Sequence, residues 1–390
     1  MKTKTSVVFL VLFSFVISAI NAQNMSGQRE KVDARFPNET PGIREANVRL
    51  VDWQPKSALV VKETRVLHPK YPVIDIHNHL RRGLEPNRFK EYLAEMDKAG
   101  VWMVIDLDGE SAGDGYKRNL AAAKGASNER IKVYFRPDFS KIDEPTFGRN
   151  EAARLEEAVK NGGCRGLKIN KGLGLSYKDK TGKFIPVDDP RIDPIWAKCG
   201  ELGIPVMIHV SDPVAFHYGP VDRFNERYDE LQTMTSFYGD AFPYSKEDII
   251  EQRNRMIGNH PNTIFIGAHV CDLAEDLGRV AMWLDQYPNY YCEISARINE
   301  LGRQPFTARK FMIRYQDRIL FGTDTTPNAE AYQLYFRVLE TDDEYFDTTA
   351  AHKLQGRWMV YGLSLPDEVL EKIYNKNALK IMGIFKGGAN

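Results

Sequence analysis

Apolar residues along this chain gather into eight short runs, and between the runs they space out to every third or fourth position. The runs are VIDIH (73–77), VWMVID (101–106), KVYFRPD (132–138), CRGLKI (164–169), PVMIHV (205–210), IFIGAH (264–269), YYCEIS (290–295) and ILFGTD (319–324). Most are continuous rather than alternating, which is the pattern of strands covered on both faces. The stretches between them read as amphipathic helices, among them RFKEYLAEMDKAG, NEAARLEEAVKNGG, DPRIDPIWAKCGELG and LAEDLGRVAMWLDQYP. Glycine ends three of these as a helix stop, and SKEDIIEQRNRMIGNH opens on a serine N-cap. A strand–helix unit repeated eight times from residue 73 to about 340 predicts an α/β fold, a (β/α)8 TIM barrel. A doubly wound open sheet would place a glycine-rich phosphate loop after its first strand; this chain has HNHLRRG there. Two short strands, NVRLVDWQP and SALVVKETRV, precede the barrel as a β extension, and PDEVLEKIYNKNALKIMG supplies one or two closing helices.

The N-terminus departs from this pattern. MKTKTSVVFLVLFSFVISAINAQ sets lysines 2 and 4 before an apolar run and small residues near Ala22, the order of a secretory signal peptide. The run is short for a membrane span, and polar sequence follows it at once. Residues 1–22 are therefore expected to be cleaved, 23–45 to form a flexible leader, and 46–390 to form one barrel domain with no stable membrane span. Without Lys2 and Lys4 the chain holds 51 basic against 53 acidic residues, and no basic block points to nucleic acid. No cysteine precedes Cys164, so lipidation at the cleavage site is excluded, and a periplasmic or secreted location is expected. Cys164, Cys199, Cys271 and Cys292 lack the close spacing of a zinc knot and read as buried thiols, with one disulfide as the alternative in an oxidising compartment. A small molecule is the expected partner, with a homo-oligomer left open.

The chemistry lies at the ends of the runs. His77 and His79 close the first, Lys168 the fourth, His209 the fifth, His269 the sixth and Asp324 the eighth. Residues i and i+2 of a strand share a face, so His77 and His79 point together, with Asp75 on the same side and placed to orient a ligand imidazole. Imidazoles and a carboxylate meeting at a barrel mouth describe a site for Zn²⁺ or a similar divalent ion with a position left open. The competing reading, isolated polar groups at strand ends, weakens as each further residue falls in register. His68, His217, His260 and His352 lie in loops or helices and read as structural. Arg136 and Arg297, after the third and seventh runs, either offer a fork to a substrate carboxylate or face solvent. The stretch 211–244 carries eight aromatic residues and roofs the mouth, selecting a cyclic or aromatic substrate or serving only as a packed cover.

With these residues placed, the chain resembles the amidohydrolase superfamily of metal-dependent hydrolases, in its amidohydrolase-related (amidohydrolase 2) branch. That branch also contains aminocarboxymuconate-semialdehyde decarboxylase and the resorcylate decarboxylases. The resemblance is carried by DIHNHL, GLKIN, PVMIHVSD, FIGAHVCD and ILFGTDTTP, in family order, and with the closing helices it spans about four-fifths of the chain. It implies His77, His79, His209 and Asp324 as metal ligands, and Asp324 and His269 as catalytic groups, His269 in acid–base or substrate-polarising work. It implies one divalent ion, Zn²⁺ with Mn²⁺ as the alternative, and a second ion if Lys168 is carboxylated as in binuclear members. Otherwise Lys168, with Arg136 and Arg297, contacts substrate. The activity it implies is hydrolysis of a lactone, amide or related carbonyl compound through a metal-activated water. The alternative is metal-dependent, non-oxidative decarboxylation of an aromatic or unsaturated carboxylic acid, a carbon–carbon lyase reaction. A binding protein on an inactive barrel is disfavoured, because no ligand position is lost.

Overall fold

The computed structural model describes residues 49, 52–53, 55–80, 86–109, 115–126, 129–233, 237–239, 242–349 and 355–383. The expected signal peptide, the leader 23–45 and most of NVRLVDWQP lie outside these. Two compact units divide the chain at Val60 and Val61, and every element below belongs to the second.

Eight strands follow one another: β1 (Val73–Asn78), β2 (Val101–Asp106), β3 (Ile131–Val133), β4 (Leu167–Ile169), β5 (Val206–Ile208), β6 (Phe265–Gly267), β7 (Tyr290–Glu293) and β8 (Ile319–Leu320). The principal helices after them, in turn, are α1 (Pro86–Ala99), α2 (Gly115–Ala126), α3 (Phe147–Glu157), α4 (Asp193–Leu202), α5 (Lys246–Asn259), α6 (Leu277–Gln286), α7 (Pro305–Arg314) and α8 (Ala329–Glu340). All pairings between neighbouring strands are parallel, in a three-stranded sheet β1-β2-β3 and a five-stranded sheet β4 to β8. The ladder breaks at two seams, each crossed by one parallel bridge, Phe135 to Leu167 and Asn78 to Thr325. Backbone bonds cross there too: Lys168 N–H donates to Phe135 O (2.8 Å), Ile76 N–H to Phe321 O (3.0 Å) and Asp324 N–H to His77 O (2.7 Å). This is the strand order of a (β/α)8 barrel.

Side-chain alternation sorts the apolar residues into two layers. Ile74, Ile76, Met103, Ile105, Met207, Ile266, Tyr291 and Leu320 form one cluster inside the strands. Val101, Val104, Val206, Ile208, Phe265, Tyr290 and Ile319 turn the other way, into the larger core that also holds the helices' buried faces. Continuous apolar runs were required because both faces are covered. The tail Asp367–Glu371, Lys372–Lys376 and Asn377–Ile381 is helical, and Ala378, Ile381 and Met382 pack on the inner cluster as the expected closing element. Asn377 Nδ2 fastens it, donating to Gln316 O and Ile319 O at 2.7 Å each.

Other expectations need correcting. The expected strand SALVVKETRV is absent: residues 55–66 join no β-ladder, and Leu59 and Val60 are exposed. Where that segment is tied down, a side chain does it, Asp343 accepting from Thr64 N–H (2.6 Å) and Thr64 Oγ1 (2.7 Å). Most barrel strands are also shorter than their apolar runs, so His209, His269 and Asp324 stand just beyond the ladder. The serine N-cap of α5 is as expected: Ser245 accepts from Asp248 N–H, and the Asp248 carboxylate accepts in return from Ser245 N–H. Among the described residues no helix is long and apolar enough to cross a membrane. All four cysteines are buried thiols.

Candidate metal centre

Three acceptor atoms meet at the C-terminal mouth of the barrel. Asp324 Oδ1 lies 3.2 Å from His77 Nε2 and 3.0 Å from His79 Nε2. The other nitrogen of each ring is already engaged: His77 Nδ1 meets Glu293 Oε1 at 2.9 Å, and His79 Nδ1 meets Asp108 Oδ1 at 2.7 Å. An ionised carboxylate only accepts, so each Nδ1 carries the ring proton and each Nε2 turns a lone pair toward Asp324. Two lone pairs facing a carboxylate oxygen repel unless a positive charge lies among them. Without a metal that charge is a proton: burial pulls His79 down, but Asp108 and Asp324 outweigh it and hold the ring up at about 9. The same donor set suits a divalent cation, and the carboxylates behind the imidazoles are the partners that ligating histidines take.

A second cluster, His77, His269 and Glu293, is equally compact but serves as a brace. Glu293 Oε1 accepts from His77 Nδ1, from His269 N–H (2.7 Å) and from Ser295 Oγ (2.7 Å). Burial would raise this carboxyl, but the His77 and His269 rings and Ser295 hold it at about 2. His269 Nδ1 donates to Ser295 O at 2.9 Å, which leaves Nε2 as an acceptor 3.8 Å from Asp324 Oδ2. That tautomer suits proton transfer better than donation to an oxyanion. Burial pushes the His269 and His209 pKa values well below the usual range, so both rings are neutral. His209 stands beside the three converging ligands rather than among them. Its Nε2 donates to Ser211 O (3.1 Å), and its ring lies edge-on to His269 at 4.3 Å.

The backbone explains why plain strand alternation misplaces some of these groups. The β1–β2 register shifts between Asp75 and Asn78. Asp75 therefore faces α8 instead of a ligand imidazole, accepting from Tyr332 Oη (2.9 Å), Thr323 Oγ1 (2.6 Å) and His77 N–H (3.1 Å). It fixes β1 against the Thr323–Asp324 turn. His269, Val270, Cys271, Asp272 and Asp324 all have left-handed φ, from 56° to 63°. Each non-glycine residue there costs roughly 1–2 kcal/mol, strain that the surrounding hydrogen bonds must offset.

A cavity of about 500 Å³ opens over the group, lined by His79, Lys168, His209, His269, Arg297 and Asp324 among others. Lys168 Nζ lies 3.5 Å from His77 Nε2, and burial brings its pKa down to about 8 against the pull of Asp324 and Glu293. Arg297 is buried, with Nη1 donating to Ala296 O (2.6 Å). Lys171 adds a third cation, paired with Asp212 at 2.8 Å. Arg136 is half-buried and does not line the cavity, although its charge reaches Lys168. Of the eight aromatic residues in 211–244, Phe216 alone lines this cavity, joined by Tyr177 from the preceding loop. Of the remaining histidines, His217 Nε2 lies 3.0 Å from Ser211 Oγ and its ring stacks on Tyr238, and His260 pairs with Asp193 at 3.1 Å. His352 lies outside the described residues. Sequence reading passed over Glu293, Asp108 and Ser295. A glutamate inside an apolar strand was a usable signal for the first, because buried carboxylates are rare without partners.

Comparison with solved structures finds distant likenesses. One is an uncharacterised TIM-barrel protein from Bordetella bronchiseptica, at 17% identity and TM-score 0.48, covering 80% of this chain and 98% of the other. A 2,6-dihydroxybenzoate decarboxylase complexed with 2,6-dihydroxybenzoate matches at 16% and 0.49, covering 80% and 100%. A probable 2-pyrone-4,6-dicarboxylic acid hydrolase from Acinetobacter baumannii matches at 13% and 0.44, covering 80% and 99%. At such identities these likenesses do not bear on the reaction. No curated protein matches the chain. The pattern of one family, amidohydrolase, runs through the sequence from residue 74 to 384, from within β1 to beyond the closing helices. Barrel, converging imidazoles and carboxylate, and that match agree: the chain is an enzyme of the amidohydrolase family.

Proposed function

We propose that this protein is a metal-dependent hydrolase of a lactone, amide or related carbonyl compound. The observation that carries the reading is Asp324 Oδ1 facing the Nε2 lone pairs of His77 and His79 at 3.2 and 3.0 Å. His77, His79 and Asp324 would hold a divalent ion, Zn²⁺ first and Mn²⁺ as the alternative, with His209 the neighbour able to join them. When bound, the ion supplies Lewis-acid polarisation and a water deprotonated near neutral pH. Asp324 keeps Oδ2 toward His269 Nε2, so the pair can take up a proton at the attacking side and return it to the leaving group. Lys168 and Arg297 present cationic donors to the cavity and favour a substrate carrying a carboxylate or a polarised carbonyl. The same cations support decarboxylation of an aromatic or unsaturated acid as a second reading. The N-terminal order of lysines, apolar run and small residues further supports export to the periplasm or beyond, where breakdown of imported compounds fits a hydrolase.

Metal-loaded protein tested against lactones, N-acyl compounds and hydroxybenzoates should release acid without CO₂. Asp324→Asn should lower kcat by about 10²–10⁴-fold. Release of CO₂ would move the assignment to the lyase reaction, and undiminished turnover by Asp324→Asn would remove its role. Metal titration of apo-protein should show Asp108→Asn binding about 10–100-fold more weakly than wild type, as expected for a carboxylate behind a ligating imidazole. Unchanged affinity would separate His79 from the ion. N-terminal sequencing of protein recovered from an exporting host should begin at Gln23; a chain beginning at Met1 contradicts cleavage.

A further inference from the structure

His209 and His269 come from different strands, yet their rings stand 4.3 Å apart, and one buried side chain reaches the backbone that carries both. Asp272 ends the left-handed turn that begins at His269, its own N–H donating to Ala268 O at 2.8 Å. Its Oδ1 crosses to the neighbouring loop and accepts from Val210 N–H (3.3 Å) and Ser211 N–H (3.2 Å). Ser211 O is the acceptor that orients the His209 ring. Asp272 is itself gripped by α5 through two cations seven residues apart, two turns along one face. Arg253 Nη1 donates to Asp272 Oδ2 (3.0 Å) and to Cys271 O (2.7 Å), with its guanidinium over the Trp283 and Tyr290 rings. Lys246 Nζ donates to Ser211 Oγ (2.9 Å), Asp212 O (2.5 Å) and Asp272 O (2.7 Å), using all three of its protons. Lys246, Arg253 and Asp272 are all buried, where unpaired charge is strongly disfavoured, so the three are held in one arrangement.

We propose that Asp272, clamped by Lys246 and Arg253, is a positioning residue that sets the spacing and ring orientation of His209 and His269 over the cavity. It touches neither imidazole and acts through the Val210–Ser211 and Val270–Cys271 backbone. By contrast, His79 is braced by Asp108, which has no bond to this turn, whereas His77 shares Glu293 with the His269 N–H. The role matters for turnover only if the cavity is the reaction site proposed above, but the geometry can be read without turnover.

The full chain labelled with ¹⁵N-histidine offers eight imidazoles, assignable by replacing them one at a time. In metal-free protein, Asp272→Asn should move the ring nitrogen signals of His209 and His269 and leave those of His79, braced by Asp108, in place. Arg253→Lys, which keeps the charge but cannot reach both Asp272 Oδ2 and Cys271 O, should move the same two signals less. His209 and His269 signals that stay fixed in a folded variant, or a His79 signal that moves with them as in general loosening, would overturn the proposal. Should Asp272→Asn not fold, Arg253→Lys decides by the same criteria. Failure of both to fold also counts against it, because the cluster would then be a requirement of the barrel rather than a device of its mouth.

Discussion

Two imidazole lone pairs and a carboxylate oxygen, packed face to face at the end of a barrel, are an arrangement that only a positive charge can relieve. Asp324, His77 and His79 are held in that arrangement. The ring protons are committed on the far side, to Glu293 and Asp108, so the rings cannot rotate away without breaking charge-assisted bonds, one buried and one half-buried. Without a metal a proton on His79 supplies that charge, its pKa being held at about 9, and a divalent cation would supply it in the proton's place. The other features of the mouth serve to hold it there.

Holding it is costly, and the cost is distributed. Five non-glycine residues at the β6 and β8 ends take left-handed backbone, and one of them is Asp324 itself. Asp75 ties β1 to the turn before Asp324, while Asp272 ties the β5 loop to the β6 turn. Each is a buried carboxylate whose oxygens are filled, those of Asp75 by backbone, hydroxyl and amide donors and those of Asp272 by backbone N–H groups and the Arg253 guanidinium, the condition under which buried charge is tolerated. The inner apolar cluster below the mouth and the closing helix beneath it give these turns a rigid floor.

The barrel was legible because its strands are covered on both faces, so each had to be a continuous apolar run separated by one helix. Polar residues at the run ends were legible for the same reason, standing out where apolar residues are otherwise obligatory. His77, His79, Lys168, His209, His269 and Asp324 could all be named that way. The braces were harder to see. Asp108 lies two residues beyond its run, and Glu293 sits inside one, so neither looked like a strand-end group. Asp75 was assigned the wrong partner because alternation assumes an unbroken register, and β1 shifts its own. The tautomers of His269 and His209 depend on the Ser295 and Ser211 carbonyls, contacts fixed by turns that sequence spacing does not encode. The expected strand in 57–66 has apolar residues at Leu59, Val60 and Val61, but they are exposed and join no ladder.

The charge that this mouth calls for is expected to be a metal ion. Crystals of metal-loaded protein, measured at the absorption edge of the bound element, locate it without reference to any substrate. An anomalous peak bonded to His77 Nε2, His79 Nε2 and Asp324 Oδ1 is the predicted result. A peak bonded to other groups, or a folded, metal-soaked protein with no peak at the mouth, would contradict it.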